Sequence, residues 1–305
     1  MNFTVAIGPS SFAEEDDTPL RMLRDAGLEV KPNPFGRRLN EAEIIEHLHG
    51  VDGLIAGLEP LNRAVIASAA PRLKAIARVG IGVANVDFDA AREFGVNVSS
   101  TPDGPVNAVA EMTLAALLAL GRRLLPTNEA LHRGEWKKLI GSGLTGARAL
   151  LIGYGRIGRR VGELLRAFGV QVLVYDPGLD PGPIEGVERV ASLDEALPQA
   201  DIISLHASGQ QCILDADAFG KAKDGLILLN SARGELVNEE ALLAALDAGR
   251  VAGVWFDAFW KEPYAGRLTQ YPQALLTPHV ATYTRQCRLD MESAAVRNLL
   301  RDLGR

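Results

Sequence analysis

The chain has 305 residues, of which 47% are hydrophobic and 23% are charged, and its formal net charge is -6. This length is sufficient for two domains, each with its own core. The composition is that of a globular protein and argues against a fibrous or disordered chain. Lysines and arginines are scattered among acids, which argues against a nucleic-acid partner and favours a small soluble ligand.

The two cysteines, Cys212 and Cys287, lie far apart in the sequence. They do not suggest a disulfide framework and fit a reducing compartment. The N-terminal stretch does not begin with basic residues, and its apolar segment is too short for a signal peptide. The longest apolar run, residues 112–120, is far shorter than the roughly 20 residues that a membrane helix needs. We therefore expect a cytoplasmic protein without membrane contact, and we predict no metal site.

In the first part of the chain, short apolar or β-branched runs alternate with helical patterns at intervals of about 20 to 30 residues. This alternation is typical of βα units and a parallel sheet. Asn40 and Glu43 form a capping-box pattern that begins a helix ending near His49. His47 and His49, in its last turn, are expected to be surface residues rather than catalytic groups. The strands of this part are predicted at residues 4–7, 53–56, 73–78 and 96–98.

A second series of βα units starts at residue 150 and predicts a second parallel sheet. Between the two series, residues 111–125 are apolar on most helical faces, so we expect a buried helix. That helix could join the domains or form a subunit interface. The tail, residues 284–303, is predicted to be a helix that packs back on the first domain. The strands of the second series are predicted at residues 150–153, 172–175, 202–205, 226–230 and 251–256.

Residues 153–158, with the sequence GYGRIG, follow an apolar strand and open a helix that stops at Gly169. In this context the first glycine permits a tight turn, the second lets the backbone approach a pyrophosphate, and the third permits close helix packing. The helix N-terminus offers free N–H groups to the phosphates. The next strand ends at Asp176, whose carboxylate would accept bonds from an adenosine ribose and repel a 2′-phosphate. The pattern predicts an NAD site, with a glycine turn that binds nothing as the alternative.

Three further segments carry an arginine, a histidine and a carboxylate, which are the groups that hydride transfer to or from a hydroxy acid would need. The carboxylate of such a substrate requires an anion clamp, and a base is needed because a proton leaves oxygen while hydride leaves carbon. Arg233 lies just past a predicted strand, and its guanidinium can hold a carboxylate bidentately. His279 follows the apolar run 274–276, and a histidine side chain is the usual group for taking up and returning a proton at working pH. Glu262 lies in a loop, and a carboxylate bonded to an imidazole favours the imidazolium. Each residue alone has a structural alternative: a surface arginine, a structural histidine and a solvated acid.

Several motifs follow one another along nearly the whole chain. They are residues 73–83 (LKAIARVGIGV) with 85–87, residues 109–111, the glycine loop with Asp176, residues 230–237 (NSARGELV), residues 257–259 with 262–263, and residues 277–279 (TPH). In this order they resemble the D-isomer-specific 2-hydroxyacid dehydrogenase family and its phosphoglycerate dehydrogenase-like members. The resemblance implies an α/β fold of two Rossmann-like, doubly wound parallel-sheet domains with the active site in the cleft between them. Residues 1–99 and 280–305 would form a discontinuous substrate-binding domain, and residues 100–279 the NAD-binding domain.

By the same resemblance, Arg233 binds the substrate carboxyl and carbonyl groups, His279 is the acid/base and Glu262 is its partner. The implied reaction is NAD-dependent hydride transfer between nicotinamide and a small D-2-hydroxy or 2-oxo acid. The implied assembly is a homodimer built through the NAD-binding domains. The backbone of Val79, Gly80, Ile81 and Gly82 would cradle the substrate carboxylate. Apart from the resemblance, Arg285 or Arg288 on the tail helix could supply a second anion clamp, with solvated arginines as the alternative. Residues Gly153, Gly155, Arg156, Ile157, Gly158, Asp176, His206, Ala207, Ser231, Ala232 and Asp257 would bind the cofactor.

The sequence departs from the family pattern in two loops. After His206, residues 207–212 (ASGQQC) replace a longer loop that usually contains Pro-Leu-Thr. Residues 56–60 (AGLEP) lack the Arg-Ser pair that phosphoglycerate dehydrogenases bring to the substrate phosphate. A non-catalytic NAD-sensing corepressor on the same scaffold is the alternative function, and it would be expected to carry partner-binding tails or insertions.

Overall fold

A computed structural model describes residues 3–180 and 182–305, which form two compact units. One unit consists of the chain up to Pro105 together with Tyr283–Arg305, and the other is Val106–Thr282. The boundary between Pro105 and Val106 thus falls between the two predicted series of strands. Among the described residues, no helix has both the length and the apolar character needed to cross a membrane.

The sheet of the first unit has five strands: β1 (Thr4–Ile7), β2 (Glu29–Lys31), β3 (Gly53–Ala56), β4 (Ala75–Arg78) and β5 (Asn97–Ser99). They are all parallel and lie in the order β2-β1-β3-β4-β5. The predicted parallel sheet is confirmed. Strand β2 was not predicted, because it is a short edge strand whose three side chains are polar or only partly buried.

The sheet of the second unit has seven parallel strands: β6 (Arg148–Ile152), β7 (Gln171–Tyr175), β8 (Glu188–Arg189), β9 (Ile202–Leu205), β10 (Leu226–Asn230), β11 (Val251–Phe256) and β12 (Ala274–Leu276). Their order is β8-β7-β6-β9-β10-β11-β12. The chain runs outward in one direction from β6 to β8 and then in the other from β9 to β12. The carboxyl ends of β6 and β9 therefore flank the topological switch point, where ligands bind in open α/β sheets.

Helices connect the strands in both units. They are α1 (Thr18–Asp25), α2 (Glu41–His47), α3 (Arg63–Ala69), α4 (Phe88–Glu93), α5 (Pro105–Gly121), α6 (Leu124–His132), α7 (Arg156–Ala167), α8 (Leu193–Ala196), α9 (Ala216–Lys221), α10 (Glu239–Asp247) and α11 (Arg285–Asp302). Because helices cover both faces of a parallel sheet, its inner strands are apolar on both sides. All five residues of β10 are buried, for example, and Trp255 and Phe256 of β11 are fully buried.

The helix predicted at residues 111–125 is partly wrong in its bounds. It is α5, which begins six residues earlier, at Pro105, and ends at Gly121. Arg123 then has a left-handed backbone, with φ +54°, and a separate helix, α6, follows. Most of α5 is buried, as predicted, whereas Leu124 and Leu125 on α6 are 54% and 43% exposed.

The capping box that begins α2 is confirmed. The Asn40 side chain accepts a hydrogen bond from the Glu43 amide, and the Glu43 carboxylate accepts one from the Asn40 amide. The surface position predicted for His47 is wrong. Its side chain is buried, and Nε2 lies 3.0 Å from the Ile7 carbonyl oxygen. Burial lowers the pKa of His47, so the imidazole packs as a neutral group beside β1.

Candidate active site

The predicted catalytic and cofactor residues of the second unit lie along one edge of its sheet, because each follows the carboxyl end of a parallel strand. Adjacent strands are about 4.8 Å apart, so the row from β7 to β12 spans roughly 24 Å. Along the sheet, the residues occur in the order Asp176 after β7, the glycine loop after β6, His206 after β9, residues 231–233 after β10, Asp257 after β11 and His279 after β12.

The glycine loop leaves no room for side chains at two of its positions. A Cβ on Gly153, which has φ +92°, would lie 2.5 Å from the Ala207 nitrogen, and one on Gly158 would lie 2.3 Å from the Gly153 oxygen. The first glycine thus brings the loop against the end of β9, and the third packs α7 against the loop. Gly155 is different, since no atom lies within 4 Å of its Cβ position.

Gly155 is also the N-cap of α7 and provides no side-chain cap. Gly155 thus offers no side-chain acceptor to the start of the helix, and a helix N-terminus without such a cap is an environment that binds phosphate. The open position at Gly155 and the uncapped helix fit the pyrophosphate of a dinucleotide.

Asp176 is tied to the glycine loop. Its Oδ2 accepts a hydrogen bond of 2.7 Å from the Tyr154 amide, and its Oδ1 accepts one of 2.9 Å from the Gly178 amide. A carboxylate has about four acceptor positions, so two remain for a ligand. The carboxylate is thereby fixed at the end of β7, beside the loop that would bind the pyrophosphate.

His206 follows β9 at the switch point. Its Nε2 lies 2.9 Å from Ser204 Oγ, and burial lowers its pKa to about 4. The imidazole is therefore neutral at pH 7 and offers hydrogen bonds without charge. The residues that follow it, 208–212, are exposed.

Asn230 shapes the turn that carries Arg233. This fully buried side chain accepts a hydrogen bond of 3.0 Å from the Ala232 amide and donates one of 2.8 Å to the Arg233 carbonyl. Arg233 is partly buried, and its Nη1 donates to the Ala232 carbonyl. The described residues offer no hydrogen-bond partner to its Nε and Nη2, so these N–H groups can bind an anion.

A close approach of two loops brings Glu262 toward Arg233. A Cβ on Gly234 would lie 2.2 Å from the Trp260 nitrogen, so only glycine lets the loop after β11 pass this near. Aromatic packing supports that loop. The ring centroids of Phe256 and Trp260 are 5.0 Å apart, and those of Phe259 and Tyr264 are 4.7 Å apart, with each pair stacked. The backbone that carries Glu262 is therefore held firmly.

Glu262 and His279 form the predicted pair. His279 Nδ1 lies 3.0 Å from both carboxylate oxygens of Glu262. Burial would raise the pKa of Glu262, but the hydrogen bond and charge of His279, the Phe259 amide and the charge of Arg233 together hold it below its usual value. An ionised Glu262 accepts a hydrogen bond from Nδ1–H and so leaves Nε2 to exchange a proton with a ligand.

The loop after β4, predicted to cradle a carboxylate, lies in the first unit. The Val79 amide donates to the Ala56 carbonyl, and the Gly80 amide donates a 2.7 Å hydrogen bond to Thr101 Oγ1. Two of the four amides are thus bonded within the protein. The amides of Ile81 and Gly82 have no acceptor among the described residues, and they remain available to an anion.

Arg288, also in the first unit, is bonded within the protein. It lies on α11 and forms a 2.5 Å ion pair with Glu292, whose side chain is only 4% exposed. It also donates to Ser11 Oγ and lies over the Tyr283 ring at 5.0 Å. Its charge is therefore largely compensated, which weakens the expectation of a second anion clamp. A cavity of about 340 Å³ lies beside these side chains.

Two structural partners were not predicted. Asn230 stands inside a recognised motif, yet nothing in the sequence shows that its side chain closes the Arg233 turn. The Thr101 hydroxyl accepts a hydrogen bond from the Gly80 amide, although the two residues are 21 positions apart. Such distant contacts leave no local pattern in the sequence.

A comparison with protein families identifies the second unit. Residues 114–281 match the D-isomer specific 2-hydroxyacid dehydrogenase family, NAD binding domain. The chain belongs to this family. Its predicted NAD-binding fold is thereby confirmed, since the match covers the glycine loop and the strands from β6 to β12.

Individual relatives agree with this assignment. The D-3-phosphoglycerate dehydrogenase of Rattus norvegicus is 34% identical over 276 residues, which are 88% of this chain and 51% of that protein. The chain spans about half the length of the curated relatives it matches. A solved structure from Thermus thermophilus has a TM-score of 0.89 and 35% identity, covering 99% of this chain and 97% of that one. A glyoxylate reductase from Paecilomyes thermophila has a TM-score of 0.85 and 28% identity, covering 98% and 94%.

Proposed function

We propose that this protein is an NAD-dependent oxidoreductase that transfers a hydride between nicotinamide and a small D-2-hydroxy or 2-oxo acid. The observation that carries the proposal is the Glu262–His279 pair, which lies on the same sheet edge as the glycine loop. A base held by a carboxylate beside a dinucleotide site is what oxidation of an alcohol requires.

His279 Nε2 takes the proton of the substrate hydroxyl during oxidation and returns it to the carbonyl oxygen during reduction. The imidazole then carries a positive charge, which the ionised Glu262 stabilises through Nδ1. Arg233 binds the substrate carboxylate and polarises the oxygen on C2. When bound, NAD supplies the hydride acceptor and NADH the donor.

The glycine loop and the uncapped α7 would hold the pyrophosphate. Asp176 would accept hydrogen bonds from the adenosine ribose, and its negative charge favours NAD over NADP. Ser231, Ala232, Ala207 and Asp257 remain predicted cofactor contacts. Val79, Gly80, Ile81, Gly82 and Arg288 remain predicted substrate contacts, and among them the amides of Ile81 and Gly82 have no acceptor within the described residues. The predicted domain roles, with NAD bound by the second unit and substrate by the first, are also part of this proposal.

A panel of 2-oxo acids tests the reaction. NADH oxidation would be followed at saturating NADH with 3-phosphohydroxypyruvate, glyoxylate, hydroxypyruvate and phosphonopyruvate. The proposal predicts turnover of at least one of them, and loss of that turnover in His279→Ala with the NADH dissociation constant unchanged. NADH binding without turnover of any acid would contradict the enzyme and favour the NAD-sensing alternative.

We also propose that the protein is a homodimer built through the NAD-binding unit. Within 17 residues of that unit, on α6 and the segment after it, five large apolar side chains are exposed: Leu124 54%, Leu125 43%, Leu131 56%, Trp136 83% and Ile140 95%. So dense a set of exposed apolar groups is typical of an association surface. A second copy is the simplest occupant, because most soluble oligomers are symmetric homo-oligomers.

Trp136→Glu tests this surface. We expect sedimentation to show a dimer for the parent protein and a monomer for the variant, because a charge would be buried in the interface. Phe168→Glu, which changes another 45% exposed aromatic residue of the same unit, is the matched control and should stay dimeric. A monomeric parent protein, or a dimeric Trp136→Glu, would contradict the assignment.

The cytoplasmic location, consistent with two free cysteines, is likewise a proposal and is tested by cell fractionation.

A further inference from the structure

The backbone of His279 has an unusual conformation. Its φ is +56°, in the left-handed region that few residues other than glycine adopt. The residues that lead into His279 form a tight turn. The His279 amide donates a 2.9 Å hydrogen bond to the Thr277 carbonyl and so closes a three-residue turn centred on Pro278. A backbone of this kind persists only where its surroundings hold it, and such strain is concentrated at functional sites.

One buried carboxylate holds the chain on both sides of His279. Asp257, which is 1% exposed, accepts a 2.6 Å hydrogen bond on Oδ1 from the Thr277 hydroxyl. On the other side, the Val280 amide donates to Oδ1 and the Ala281 amide donates to Oδ2, each over 2.9 Å. Asp257 therefore binds the residues before and after the imidazole rather than the imidazole itself.

Trp255 fixes the direction of the Thr277 hydroxyl. Its indole nitrogen lies 2.9 Å from Thr277 Oγ1, and the ring is fully buried in β11. An indole N–H can only donate, so Thr277 accepts from Trp255 and must direct its own proton at Asp257. The three side chains thus form a directed chain of hydrogen bonds from the core of the sheet to the His279 segment.

We propose that Trp255, Thr277 and Asp257 form a positioning relay that holds His279 in its left-handed conformation, with Nδ1 facing Glu262. The relay rests on the proposed function only in that its activity readout requires turnover. Trp255 and Thr277 act through Asp257, and they set the position of the base. A base displaced by about 1 Å can lose a factor of about 100 in rate.

Thr277→Val removes the hydroxyl and keeps the shape of the side chain. We expect kcat to fall about 10- to 100-fold, with KM for the acid and the dissociation constant of NADH unchanged, because only the position of the base is disturbed. Thr277→Ser, which retains the hydroxyl, should restore most of kcat. The matched control is Thr113→Val, a buried threonine whose hydroxyl bonds the Val109 carbonyl within α5, and it should leave kcat at the parental value.

Trp255→Phe supplies a second variant, because it keeps a buried ring and removes the N–H donor; it should lower kcat in the same sense. Parental kcat in Thr277→Val would overturn the relay. So would a fall in kcat that Thr277→Ser does not restore, or an equal loss of NADH affinity. If Thr277→Val does not fold, Trp255→Phe decides: parental kcat in that variant, or an equal loss of NADH affinity, would overturn the relay.

A crystal structure of Thr277→Val separates the relay from the proposed function. If the parent protein turns over no 2-oxo acid, the proposed function fails, and the relay is judged by the His279 backbone alone. The relay predicts that His279 leaves the left-handed region in the variant. A φ that stays near the parental value of +56° would overturn it.

Discussion

Replacing Glu262 by glutamine is the sharpest perturbation of the proposed catalytic pair. The amide oxygen can still accept a bond from His279 Nδ1, so the geometry is retained while the charge is lost. Hydrogen bonds to charged groups contribute about 1.5 to 3 kcal/mol. His279 and Glu262 are 36% and 27% exposed, so solvent screening favours the lower part of that range. A loss of about 1.5 to 2 kcal/mol corresponds to a fall of about 10- to 30-fold in kcat/KM.

The assay is steady-state NADH oxidation with whichever 2-oxo acid is turned over. Glu240→Gln is the matched control, because Glu240 lies on α10 in the same unit and pairs with Arg267 at the surface. It should retain parental kcat/KM. Parental kcat/KM in Glu262→Gln would refute the role of Glu262 as the partner that stabilises the imidazolium.

The same variant has a pH signature. The pKa of Glu262 is lowered from its ordinary 4.5, so the folded protein binds this proton less readily than the unfolded chain. Its contribution to stability is therefore complete above pH 4.5 and is lost as pH falls through the lowered value. Urea unfolding should show a steeper acid loss of stability for the parent than for Glu262→Gln. Identical acid slopes would contradict this assignment.

Two further changes test the cofactor side of the sheet edge. Asp176→Ala removes the carboxylate expected to bind the ribose, so NADH binding should weaken by about 1.5 to 3 kcal/mol and the preference for NADH over NADPH should shrink. The control is Asp180→Ala, which changes an exposed acid of the same unit. An unchanged preference for NADH over NADPH in Asp176→Ala would contradict the role of Asp176. Gly158→Ala places a Cβ 2.3 Å from the Gly153 oxygen, so both thermal stability and NADH affinity should fall. The control is Gly220→Ala, which has no atom within 4 Å of its Cβ position and should lose neither. Equal melting temperatures for the two variants would contradict the close packing at Gly158.

Sequence patterns predicted the elements that depend on local chemistry. The inner strands are apolar because helices cover both faces of the sheet, and β9, β10 and β11 have the predicted bounds. The capping box at Asn40 is equally local, since both of its hydrogen bonds join residues three apart. The glycine loop could be predicted because its strand, turn and helix are contiguous in the sequence.

Elements that depend on tertiary contacts were missed or displaced. The edge strands β2 and β8 are short and largely polar, so no apolar run marks them. His47 was expected at the surface, because the carbonyl of Ile7 that it contacts is 40 residues away. The boundary between α5 and α6 depends on the left-handed backbone of Arg123, which no sequence pattern announces.

The candidate site shows the same limit. Each of Glu262 and His279 was ambiguous alone, and their pairing follows from loops that meet only in the fold. The hydrogen bond from Arg288 to Ser11 was not foreseen, because the two residues are 277 positions apart in the sequence. The engagement of Asp257 by three donors around His279 likewise depends on the register of β11 beside β12.

In the proposed reaction, hydride passes directly between nicotinamide and C2 of the acid, with His279 as the proton donor or acceptor. The most direct measurement uses NADH that carries deuterium at the transferred position of nicotinamide C4, together with the 2-oxo acid that is turned over. Direct transfer should give a D-2-hydroxy acid with deuterium on C2, and His279→Ala should form no product although it still binds NADH. A product without deuterium on C2, or parental rates in His279→Ala, would contradict it.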